Sequence, residues 1–110
     1  MSSRDLNRQL LKAYERVVPT GSRVPLAFTV RTRTDRDAEQ LRARFARQQC
    51  DFIWLRKQWW RFARPWELAL KSAPVPYSPD ALDAWTDAVD RELAPLGAQL
   101  THWVPAPAGA

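Results

Sequence analysis

At 110 residues, with 45% apolar and 26% charged content, the chain suits one globular domain with a single modest core. It holds no apolar run near the ~20 residues that a membrane helix requires, and its one cysteine, Cys50, excludes an internal disulfide and a cysteine-based metal site. The net charge of +5 is unevenly split: residues 1–64 carry 15 Lys/Arg against 6 Asp/Glu, whereas residues 65–110 carry 2 against 6, so two electrically distinct regions are expected.

The first element is a helix over residues 4–18, where Leu6, Leu10, Tyr14 and Val17 recur on one face. Pro19-Thr20-Gly21-Ser22 stops it. Residues 24–32 alternate Leu26, Phe28 and Val30 with Ala27, Thr29 and Arg31, which predicts a strand with one buried face. Pro25 near its start marks an edge or a strand entrance. A second helix is expected from about 35 to 49, capped by Thr34 or Asp35 with Asp37 and Glu39 in its first turn. Its apolar stripe is Ala38, Leu41 and Phe45, and Arg36, Arg42, Arg44 and Arg47 cover much of the remainder.

Residues 51–56 are rich in β-formers and predict a second strand. Trp66, Leu68 and Leu70 alternate with Glu67, Ala69 and Lys71, predicting a third at about 66–72. After a proline-punctuated connector, Ser78-Pro79-Asp80 is a strong helix start, with a capping serine, proline at the first helical position and an acid in the first turn. Leu82, Trp85, Val89 and Leu93 form that helix's apolar stripe, and Pro95 and Gly97 end it. Residues 98–104 predict a last strand, with Leu100 and His102 on one face and Thr101 and Trp103 on the other.

The order after the first helix is β-α-β-β-α-β. The expected class is therefore α+β, a ferredoxin-like βαββαβ sandwich with two helices on one face of a four-stranded antiparallel sheet and an extra N-terminal helix. Residues 1–22 form the helix and linker, 23–104 the domain and 105–110 a frayed tail. The N-terminal helix is expected to cover the other sheet face, at least in part. Should that aromatic-rich face stay free, a homodimer could close it.

The stretch from Arg56 to Trp66 concentrates the candidate chemistry. Trp59, Trp60, Phe62 and Trp66 interleave with Arg56, Lys57, Arg61 and Arg64, and no acid interrupts them. Guanidiniums beside aromatic faces suit anchoring a protein partner or stacking on bases while holding phosphates. In the predicted element order Trp54 and Trp66 fall within strands and belong to the core. Trp59, Trp60, Arg61 and Arg64 fall on a hairpin tip, where burial is hardest to arrange. A second candidate is the acidic stripe of Asp80, Asp83, Asp87 and Asp90 on the last helix, either a docking face for a basic partner or a solvated face.

No catalytic constellation, cofactor site or metal site emerges. His102 is the only histidine, Cys50 reads as a small buried hydrophobe, Asp35 and Asp37 read as helix-start residues, and the glycines are isolated. The first residues lack the layout of a signal peptide, so a cytoplasmic location is expected.

The segment from Trp66-Glu67-Leu68-Ala69-Leu70-Lys71 through Val75-Pro76-Tyr77-Ser78-Pro79-Asp80 and Leu82-Asp83-Ala84 to Gly97 and Trp103 resembles the RraB family, regulators of ribonuclease E activity. The likeness covers residues 4–104 in element order and about 66–103 in motif. It implies a ferredoxin-like core and a regulatory protein contact, with a ribonuclease as partner. The chain departs from that family in its positive charge and in having Leu100-Thr101-His102-Trp103 where the family ends on Tyr-Asp-Gly-Trp. The alternative is a module binding RNA or other single-stranded nucleic acid through the basic-aromatic hairpin.

Overall fold

A computed structural model describes residues 3–19, 21–60 and 63–106. Its elements are α1 (Ser3–Tyr14), β1 (Arg23–Val24), β2 (Leu26–Thr32), α2 (Asp35–Ala46), β3 (Asp51–Lys57), β4 (Trp66–Lys71), β5 (Val75–Pro76), α3 (Pro79–Leu93), a 3₁₀ turn (Ala94–Leu96) and β6 (Gln99–Pro105). The class is mixed α+β.

One sheet has the order β3-β4-β2-β6 and is antiparallel throughout; a second, small sheet pairs β1 with β5. The small sheet was not expected. Pro25 causes it, because a proline without an N–H splits the predicted 24–32 strand into β1 and β2. Beyond the break, the Leu26 N–H is satisfied by the Ser72 hydroxyl at 3.0 Å.

Period-two alternation sorts β2 cleanly. Leu26, Phe28, Val30 and Thr32 are buried, while Ala27, Thr29 and Arg31 turn to the other face. Cross-strand partners Leu68 and Leu70 of β4 complete the inward layer. On β6 the alternation fails. A bulge between the pairs Thr29–His102 and Val30–Leu100 leaves Thr101 as the extra residue, so Leu100 and Trp103 both point inward. The expected grouping of Leu100 with His102 and Thr101 with Trp103 is thereby corrected.

All three helices pack on the same face of the larger sheet. Thr34 caps α2, its hydroxyl accepting from the Asp37 N–H at 3.1 Å, and Ser78 caps α3 through the Ala81 N–H at 3.3 Å. The helix α2 ends at Ala46 rather than 49. The Cys50 N–H reaches the Phe45 carbonyl at 3.0 Å, with Gln49 at φ 64°, which closes the helix with a left-handed residue. The helix α1 ends at Tyr14, not 18. Its turn leaves Val17 exposed and buries Val18 instead, so Val17 drops out of the predicted apolar face.

The expectation that α1 covers the free sheet face is overturned. Leu6, Leu10, Leu11 and Tyr14 pack against the core beside α3 and β6. A buried polar bolt holds α1 there. The Asn7 side chain donates to Thr86 Oγ1 at 2.9 Å and Asp83 Oδ1 at 3.1 Å, and accepts from Trp103 Nε1 at 2.8 Å. Its side-chain oxygen satisfies the buried indole N–H. The face turned away from the helices includes Ala27, Thr29, Arg31, Asp51, Trp54, Arg56, Glu67, Ala69, Lys71 and His102.

Candidate functional site

The hairpin joining β3 to β4 starts at Gln58, whose N–H donates to the Pro65 carbonyl at 2.7 Å. Just beyond it the chain projects Trp59 and Trp60, which are 76% and 68% exposed. Few large aromatic side chains are left so bare in a folded domain, because each ring forgoes the ~2–3 kcal/mol that burial would give. Arg61 and Phe62 lie outside the described residues.

Three cations around the tip already make contacts. The Arg56 guanidinium lies 4.2 Å from the Trp54 ring centre and donates to Glu67 Oε1 at 3.0 Å. The Lys57 ammonium sits 4.6 Å from the Trp59 ring centre and 5.7 Å from that of Trp66. Arg64 donates through Nε to the Gly97 carbonyl at 2.8 Å, closing the end of the 3₁₀ turn that follows α3. Gly97 itself is left-handed at φ 61°, which favours glycine, and a Cβ there would press on the Arg33 guanidinium at 3.0 Å unless that exposed side chain shifted.

Beneath the tip lies a cluster that the sequence reading missed. Arg31 donates to both Glu67 and Gln58, and Glu67 also accepts from Arg56. Arg31 and Glu67 are largely buried, with side chains 12% and 8% exposed. Glu67 thus balances two arginines, while Gln58 ties the first residue of the tip to the middle of the sheet. Opposite charges in two strands were visible in the sequence, but their direct opposition (Arg31 against Glu67, Glu67 against Arg56) follows from register.

Trp54 and Trp66 are half-buried and stand outside the core cluster, contrary to expectation. Trp54 lies on the face without helices, and Trp66 is the first residue of β4, next to the tip. The core aromatics are instead Phe28, Phe45, Tyr77 and Trp103, with Trp85 edge-on to Phe28 at 5.2 Å.

Of the acidic stripe, Asp80 is exposed while Asp83, Asp87 and Asp90 are half-buried, and Asp83 accepts from Asn7. The stripe therefore includes part of the seam with α1 rather than lying wholly on a solvated face. Cys50 is half-buried. Burial, followed by the neighbouring Asp51 charge, pushes its thiol up to about 11, which suppresses the nucleophilic thiolate. His102 is exposed. Among the described residues, no group of three His, Cys, Asp or Glu side chains could hold a metal ion, and no helix is long and apolar enough to cross a membrane.

Compared with known proteins, the chain matches no family model, no curated protein and no solved structure.

Proposed function

We propose that this chain is a non-catalytic protein-interaction domain on a ferredoxin-like βαββαβ core, and that it captures its partner with the β3–β4 tip. The strand order β3-β4-β2-β6, with α2 and α3 in the intervening connections, supports the core assignment. The observation that carries the function is the pair of adjacent, bare tryptophans at 59 and 60. Rigid aromatic rings offer large contact area at low entropy cost, which is why tryptophan dominates binding hot spots. The clamp of Arg31, Glu67 and Gln58 holds the base of the tip before any partner arrives.

The contacts of the described cations rank protein contact above nucleic acid. Arg56, Lys57 and Arg64 already contact Glu67, indole faces and a carbonyl, and phosphate would compete with these contacts. By resemblance to the RraB regulators, a ribonuclease is the first partner to try. Single-stranded RNA is the second reading, favoured by the exposed Arg36 on α2 and Arg47 at its C-cap. Titrating the protein with purified ribonuclease E and, separately, with a single-stranded uridine oligonucleotide decides between them. The proposal expects a change in tryptophan emission with the ribonuclease that persists at moderate salt. Oligonucleotide binding that weakens steeply on a log–log salt plot, with no ribonuclease binding, would overturn it.

A further inference from the structure

We propose that β3 is a self-association edge, on which a second copy of this chain pairs antiparallel about a twofold axis at Trp54. This surface is separate from the tryptophan tip, and its failure would leave the tip reading standing.

β3 is bonded on one side to β4 and forms one rim of the sheet. Its seven residues present about 23 Å of strand. Edge strands are normally blunted by proline, charged side chains, bulges or a covering element. The opposite rim, β6, has α1 packed against it and ends in Pro105. β3 carries charges at Asp51, Arg56 and Lys57 and a bulge at Ile53, yet Phe52 and Ile53 stay 40% and 44% exposed and no proline interrupts the strand. An edge of this kind is a template for strand addition.

The occupant follows from charge and register. Against β4, Asp51, Trp54 and Arg56 share one face, whereas Phe52 and Leu55 share the other, with Ile53 bulged between them. An antiparallel copy that keeps both faces matched and carries the same bulge sets Asp51 against Arg56 of the second copy, Phe52 against Leu55, and Trp54 against its own equivalent. Both ends of the pairing then join opposite charges, because Arg56 is bonded to Glu67 through one nitrogen and its side chain is still 58% exposed, and the inward side joins apolar to apolar. The adjoining flank of α2 does not oppose this arrangement with a single sign, because Arg42 lies 3.7 Å over the Phe52 ring and pairs with Glu39. A different partner strand would need both a cation opposite Asp51 and an anion opposite Arg56 to match both end pairs.

Sedimentation velocity over the micromolar range tests the proposal. The wild-type protein is expected to form a reversible dimer. Asp51→Arg sets like charges together at both ends and should weaken dimerisation about tenfold or more while leaving circular dichroism unchanged. If that variant misfolds, crosslinking decides: Trp54→Cys in a Cys50→Ala background should oxidise readily to an interchain disulfide, since directly opposed strand residues lie within disulfide reach. Ala63→Cys in the same background, on the exposed tip, should crosslink far more slowly. A wild-type protein that stays monomeric, a dimer undiminished by Asp51→Arg, or position 54 crosslinking no faster than position 63 would each contradict the proposal.

Discussion

Gln49 occupies the left-handed position that closes α2, at φ 64°, where a side chain strains against the backbone. Gln49→Gly should therefore stabilise the fold by roughly 0.5–1 kcal/mol in urea unfolding, the reverse of a usual glycine substitution. Cys50 and Tyr77 make a second residue-scale prediction. Burial raises both groups above their ordinary values, the thiol to about 11 from 9.0. As pH rises past 9 the unfolded chain loses these protons before the folded one does, so stability falls over that range, and Cys50→Ala should flatten part of the decline. Unfolding midpoints measured from pH 8 to 11 check it, and a flat profile would contradict it. Single residues were unevenly legible in the sequence. The caps Thr34 and Ser78 have a local cause and were readable, whereas burial of Asn7 depends on an indole 96 positions away.

At the scale of elements, the Arg31–Glu67–Arg56 ladder joins three strands under the tip. Glu67→Gln removes the carboxylate that balances two arginines and leaves Arg31 buried and unpaired. It should cost about 3 kcal/mol by urea unfolding. A loss below about 0.5 kcal/mol, the range of ordinary surface substitutions, would show that the ladder holds nothing in place. Helix and strand types followed from periodicity in nearly every segment, because period 3.6 and period two differ plainly over seven or more residues. The split at Pro25, the bulge at Thr101 and the face chosen by α1 did not follow. Each depends on what a neighbouring strand or helix offers across the fold, and local pattern carries no such information.

For the whole molecule, the sheet has one face roofed by three helices and one face bearing charge. Trp59, Trp60 and Trp66 gather at the tip end of the β3–β4 pair and Trp54 stands mid-strand, so four of the six tryptophans lie outside the core cluster. The sequence had narrowed the candidate site to the hairpin tip, since turns are hard to bury, and the bareness of Trp59 and Trp60 fits that reasoning. The cluster beneath the tip stayed hidden, because it takes three strands in register to build it.

The most direct measurement is partner capture by the double variant Trp59→Ala/Trp60→Ala, with the unfolding free energy of the same sample as its control. The account predicts that stability changes by less than about 1 kcal/mol, as for exposed positions, while capture falls about tenfold or more. Undiminished capture by a folded double variant would contradict it, as would a loss of about 3–5 kcal/mol of stability, the signature of core tryptophans.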